Sequence, residues 1–133
     1  MKWTKSNTIF KKTKKMIPGG VNSPVRSFTA VSSTPFIVKK SQGSLITDVD
    51  NNNYIDFIGS WGAMILGHSD DRILKKLNKV SKNGLTYGAP NEAETEIAEF
   101  IIKNVPSVDK IRMVNSGTEA TMSAARLARG YTK

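Results

Sequence analysis

The chain has 133 residues, 20 Lys plus Arg against 11 Asp plus Glu, one His and no Cys, for a formal charge of +9. This is one ordinary domain's worth of chain, able to bury roughly two thirds of the surface its unfolded form exposes, and without cysteine it carries no disulfide framework, thiolate metal site or Cys nucleophile. No apolar run nears the roughly 20 residues that cross a bilayer, and no signal-peptide core follows the first residues, so the composition points to a soluble, cytoplasmic protein.

The charge is unevenly placed. Residues 1–47 hold nine basic side chains and no acid, whereas residues 48–133 hold eleven of each. Lys2, Lys5, Lys11, Lys12, Lys14 and Lys15 could neutralise phosphates as a nucleic-acid arm. Alternatively, Ile9, Phe10, Thr13, Met16 and Ile17 form the inward stripe of a first helix and leave those lysines in water. The amphipathic helix is preferred, because no zinc finger, RNA-recognition signature or aromatic interleaving accompanies the basic run.

Pro18-Gly19-Gly20 ends that helix, and residues 21–34 read as ordered loop. Within it, Asn22-Ser23-Pro24-Val25-Arg26 sets a hydroxyl and a guanidinium on a proline-stiffened segment, suited to presenting donors to an anion. Phe36-Ile37-Val38-Lys39, Leu45-Ile46-Thr47 and Tyr54-Ile55-Asp56-Phe57 then predict a three-stranded antiparallel meander. Asp48-Val49-Asp50-Asn51-Asn52 begins like a calcium loop, but Asn53 stands where the glycine belongs and Gly59 where the bidentate glutamate belongs. It is read as a turn, and no metal site is assigned.

Residues 59–68 are apolar yet carry three glycines, which suits a loop whose backbone comes close to something. Trp61 there is either core or the wall of a site, and His68 is read as a satisfied helix-entry residue, since no partner ligands for a metal are visible. A helix follows over residues 70–83, with Ile73, Leu74, Leu77 and Val80 inward and Gly84 as its stop. Asn91 and Glu94 make a capping-box-like start for the next helix, whose Ile97, Ala98, Ile101 and Val105 form an apolar face ending at Pro106. Residues 110–114 predict a short strand that runs into Asn115-Ser116-Gly117-Thr118-Glu119-Ala120, and an alanine-rich helix continues to Arg129 with Gly130 beyond. Strand, Ser-Gly-Thr turn and helix is how α/β proteins hold a phosphate, because a helix start offers unpaired N–H donors and a positive dipole end. The same triplet also serves as a plain N-cap. The dinucleotide and triphosphate glycine motifs are absent.

Residues 18–26, Gly59-Ser60-Trp61-Gly62, Ile65-Leu66-Gly67-His68 and residues 114–124 together closely resemble the glutamate-1-semialdehyde 2,1-aminomutase family of class-III pyridoxal-phosphate aminotransferases, from about the first helix to the last residue. Tyr54-Ile55-Asp56 and residues 115–120 suit many class-III aminotransferases, while the Pro-Gly-Gly-Val-Asn-Ser-Pro-Val-Arg stretch is more particular to the aminomutases. The resemblance implies the amino-terminal part of a fold-type I α/β transferase, with residues 1–67 supplying the helix, substrate loop and meander of its small-domain region. Residues 68–133 would then begin the large cofactor domain without completing it. It further implies a homodimer that uses pyridoxal 5'-phosphate and pyridoxamine 5'-phosphate to turn glutamate 1-semialdehyde into 5-aminolevulinate, the tetrapyrrole precursor. Ser116, Gly117 and Thr118 would hold the cofactor phosphate, Ser23 and Arg26 the substrate carboxylate, and Trp61 would line the substrate pocket.

The resemblance also implies that the cofactor-binding lysine and the aspartate facing the pyridinium nitrogen lie beyond Lys133. The chain is therefore read as a fragment with no catalytic residue of its own, inactive alone, and with no nucleic-acid or membrane partner. Two alternatives stand beside this: another class-III aminotransferase acting between two substrates, and a non-catalytic module whose basic start carries the function.

Overall fold

Helix α1 (Thr4–Thr13) starts at Trp3 with no side-chain cap from its own segment. In the computed structural model, which describes residues 1–133, the cap comes from 44 residues downstream. The Asp50 carboxylate accepts from the backbone N–H of Lys5 at 2.7 Å and of Ser6 at 2.9 Å, and from the Ser6 hydroxyl at 2.8 Å. An anion placed there meets both the unpaired amides and the positive end of the helix dipole. Of the expected inward stripe, Phe10 is buried, Thr13 and Ile17 are half-buried, and Ile9 and Met16 are exposed. The lysines between them face water, as an amphipathic helix requires. Phe10 packs against the turn Pro18–Gly20, where a Cβ on Gly20 would lie 2.6 Å from the ring, and Gly20 also holds a φ of +76°. Only glycine satisfies both demands.

The meander forms as β1 (Val38–Gln42), β2 (Leu45–Asp48) and β3 (Asn53–Ile55), antiparallel in the order β1-β2-β3. Ser41 pairs with Ile46 and Ile46 with Tyr54, and the β1 register slips between Val38 and Lys40. The first strand begins later than Phe36 because the Ile37 N–H is taken by the Ser6 hydroxyl at 3.2 Å. The third ends before Asp56 because that carboxylate turns back on the amides of Ile58 and Gly59. The β2–β3 connection forms as a turn: Asp48 is fully buried, and accepts from the Asp50 and Asn52 amides, the Asn52 side chain and the Tyr54 hydroxyl. Tyr54 in turn accepts from the Trp3 indole N–H at 2.7 Å, and its ring stacks on Phe36 with centroids 4.5 Å apart.

Helix α2 (Asp71–Val80) is capped by Asp70, whose carboxylate accepts from the Arg72 amide and bidentately from its guanidinium. The guanidinium beside Asp70 brings its carboxyl down to about 2. Helix α3 (Glu92–Asn104) starts at Asn91, whose side-chain oxygen accepts from the Ala93 amide while its side-chain N–H reaches Glu94. Helix α4 (Gly117–Thr132) starts at Ser116 and runs through Gly130, overturning the expected stop after Arg129. One glycine inside a helix weakens it without ending it.

Two further expectations fail. Residues 110–114 form no strand, since a strand exists through its ladder and none of the three strands pairs with them. Ile73, Leu74, Leu77 and Val80 of α2 stay exposed rather than turning inward, as do Ile97 of α3 and Val105 just after it, while Ala98 and Ile101 of the same expected face are half-buried. The chain divides into two compact units, Met1–Leu85 and Thr86–Lys133, and every buried side chain belongs to the first.

Candidate functional site

In the first unit, Pro24–Ser27 winds into a single 3₁₀ turn, with Ser23 extended before it and Phe28 left-handed after it. The proline presets the turn's entry, and the Arg26 amide closes it onto the Ser23 carbonyl at 3.0 Å. This turn carries Arg26 to a cavity of about 770 Å³, also lined by Phe28, Phe36, Tyr54, Trp61 and the Asp56–His68 pair. Arg26 is an exposed cation with no acidic partner among the chain's two ion pairs. Among the anticipated residues, Arg26 and Trp61 share this cavity, whereas Ser23 lies on the same turn outside its lining. Most of the remaining wall is aromatic and aliphatic, so a polar ligand meets one guanidinium against an apolar background.

Asp56 and His68 were not marked by their sequence context as a pair. Their side chains meet at 2.6 Å and are 7% and 13% exposed respectively. The His68 ring N–H, together with the amides of Ile58 and Gly59, holds the Asp56 carboxyl below the usual carboxylate range. The carboxylate is thus ionised, and Nε2 must be the donor. His68 also bridges Gly43 through its backbone, 2.8 Å in each direction, which is closer contact than a helix-entry residue needs. The twelve-residue separation of Asp56 and His68 matches no helix or hairpin spacing, so no local signal could have found them.

In the second unit, Ser116 Oγ accepts from the Glu119 amide at 3.2 Å, and the Glu119 carboxylate accepts from the Asn115 amide at 2.6 Å. The two bonds fix the first turn of α4. They leave the amides of Gly117 and Thr118 unpartnered, and a Cβ on Gly117 would meet nothing within 4 Å. Two free amides stand at the start of a 16-residue helix whose first residues also carry the hydroxyls of Ser116 and Thr118. Such donors at a helix start suit a dianionic phosphate, with the Glu119 carboxylate engaged by the Asn115 amide beside them. A cavity of about 360 Å³ beside the turn is lined by Arg112, Asn115, Glu119 and Arg126, whose two guanidiniums make its surroundings positive. No cluster of His, Asp or Glu has the makings of a metal site, and no helix is long and apolar enough to cross a membrane.

A family profile described as aminotransferase class-III matches residues 28–133. Glutamate-1-semialdehyde 2,1-aminomutase of Chloroherpeton thalassium is 59% identical over 129 residues, which are 96% of this chain and 30% of that protein. The protein of the same name from Bacillus subtilis is 55% identical over 130 residues, 98% of this chain and 30% of its own length. A transaminase solved with PLP bound superposes with a TM-score of 0.90 at 31% identity, over 99% of this chain and 30% of that one. The chain spans about 30% of the length of the relatives it matches.

Proposed function

We propose, because the chain belongs to the class-III aminotransferase family, that the whole protein served by these residues is a pyridoxal-phosphate aminomutase converting glutamate 1-semialdehyde to 5-aminolevulinate. The observation that carries this is the 59% identity to an aminomutase across 96% of the chain. The local geometry supports it, since one unit offers a turn whose donors suit a phosphate and the other offers a lone guanidinium in a mostly apolar cavity.

Bound pyridoxal phosphate supplies an electron sink that lets an amino group leave one carbon and join its neighbour. This chain's own residues do the holding. Ser116, Gly117 and Thr118 fix the phosphate through the amides and hydroxyls at the start of α4, where the helix dipole adds to each contact. Arg26 takes the substrate carboxylate, because a planar fork of donors orients a carboxylate as a point ammonium does not. Ser23 adds a hydroxyl from the same turn, and Trp61 walls the pocket. None of the chain's lysines is assigned to the cofactor. We assign the whole protein to the cytoplasm as a homodimer acting on a small molecule, with neither nucleic acid nor membrane as partner.

The experiment is to give the purified full-length protein glutamate 1-semialdehyde with no second amino acceptor and to measure 5-aminolevulinate. Product under those conditions is the expected result. A strict need for a keto acid at every turnover would favour transamination between two substrates, the reading supported by the 0.90 superposition on a transaminase.

A further inference from the structure

The segment between Asp56 and His68 carries an unusual backbone. Gly59, Ser60, Trp61 and Gly62 all have positive φ, at 54°, 51°, 62° and 90°. Two of these residues carry a Cβ, and for one of them, tryptophan, the left-handed region is a costly place to sit. Such backbone persists where the surroundings over-determine it, and it is found where a side chain must be aimed. Here the bonds inside the segment are short-range: the Gly62 amide reaches the Ile58 and Gly59 carbonyls, and the Met64 amide reaches Gly59 at 2.9 Å. They shape the loop but do not attach it to the sheet.

Attachment comes from its two ends. At the entry, the Asp56 carboxylate accepts from the Ile58 amide at 2.8 Å and the Gly59 amide at 3.1 Å through one oxygen, and from His68 Nε2 at 2.6 Å through the other. At the exit, His68 exchanges two backbone bonds with Gly43 in the β1–β2 turn. Gly67 beside it admits no side chain, since a Cβ there would lie 2.9 Å from the Gly43 carbonyl oxygen. One carboxylate therefore joins both ends of the loop, and the histidine joins that knot to the meander. Phe57 and Ile65, at 91% and 89% exposed, show that the loop is not held by burial of its own apolar side chains.

We propose that Asp56 and His68 are positioning residues, a clasp that holds the left-handed Trp61 loop against the cavity that Arg26 enters. The inference rests on the proposed function only in taking that cavity as the substrate pocket. The clasp itself is a statement about Trp61 and its loop. It makes the His68 ring a structural donor rather than a proton carrier, so what matters is an N–H aimed at Asp56.

The test uses the full-length holoprotein labelled with fluorotryptophan, its Trp61 resonance identified by loss in Trp61→Phe. His68→Ala should displace the Trp61 fluorine signal while other tryptophan signals stay, and should raise KM roughly tenfold with kcat within about twofold. His68→Gln, whose amide N–H can still reach Asp56, should restore both. An unmoved Trp61 signal in His68→Ala overturns the clasp, as does a His68→Gln protein whose Trp61 signal remains displaced. If His68→Ala loses all its dispersed signals, the fold has gone and the His68→Gln spectrum decides alone. If glutamate 1-semialdehyde is no substrate, the function proposed above fails, while the fluorine signals still decide the clasp.

Discussion

In the first unit, hydrogen bonds join Trp3 to Tyr54, Ser6 to Asp50 and Asn52 to the Lys2 carbonyl, across 44 to 51 positions. In the second, the caps of α3 and α4 close over two to four positions, through Asn91, Ser116 and Glu119. The first unit owns all the buried side chains and the second has none. The difference teaches where specification resides: a cap within its own segment forms wherever the helix forms, while a cap supplied from a distant turn exists only when two segments dock. Damage to the first unit should therefore spread, and damage to the second should stay where it is made.

The largest effect is expected from Asp48→Ala. It removes the acceptor of the Asp50 and Asn52 amides, of one Asn52 side-chain N–H and of the Tyr54 hydroxyl proton at once. Circular dichroism should show the first unit's melting midpoint falling by about 10 °C or more, because unpaired buried donors cost more than the bonds they lose. A midpoint within a degree or two would mean the network is decorative and the contrast between the units false.

Next comes Arg26→Lys in the full-length protein. Charge is kept and the planar fork is lost, so kcat/KM should fall roughly ten- to a hundredfold, the worth of a charged hydrogen bond in a partly enclosed site. Steady-state kinetics give the answer, and an unchanged ratio would take Arg26 out of the pocket.

Asp50→Ala should be milder than Asp48→Ala, since it frees α1 but leaves the meander paired. Amide exchange at Lys5 and Ser6 should accelerate sharply, with a midpoint drop of about 4–8 °C. Acid should mimic the substitution. Burial works to raise the Asp50 carboxyl, but the Lys5 and Ser6 donors outweigh it and bring it below its ordinary 3.8. A carboxyl depressed in the folded state stabilises fully above the unfolded value, so α1 docking should be intact at neutral pH. It should be lost as pH falls below 3.8 and through the folded value. Exchange at Lys5 and Ser6 that ignores this range would mean the carboxylate is not the cap.

The smallest effects sharpen the contrast from the other side. Ser116→Ala and Asn91→Ala should each weaken only their own helix start, by about 1 kcal/mol, with fraying in the first turn and no change in the melting of residues 1–85. Ser116→Ala should in addition weaken phosphate binding by the full-length protein in a titration with inorganic phosphate. A global loss of structure from either substitution would show that the second unit is not locally built.

These contrasts track what was legible beforehand. Asp70, Asn91 and Ser116 announce helix starts in any context, because the bond each makes reaches no further than its own first turn. The meander was legible too, from β-prone runs separated by Asn- and Gly-rich turns, with its edges misplaced by one to two residues at Phe36 and Asp56. The first edge moved because the Ile37 amide bonds to distant Ser6, and the second because the Asp56 carboxylate turns back on the Ile58 and Gly59 amides. Residues 110–114 show the opposite failure, since their β-prone composition has no partner strand to make it a strand.

Of the site, the sequence by itself determined the residue chemistry: the guanidinium of Arg26 on a proline turn, the indole of Trp61 among glycines, and the Ser-Gly-Thr donors at a helix start. Its local spacings determined the helix caps and the meander, because those bonds span only a few residues. Tertiary structure alone decided that Arg26 and Trp61 share a cavity, that Ser23 stands outside its lining, that Asp50 caps a helix 44 residues away, and that Asp56 and His68 close the Trp61 loop. The reason is that a carboxylate carries no mark of which distant donor it will meet, and such pairs are chosen only when the chain folds back on itself.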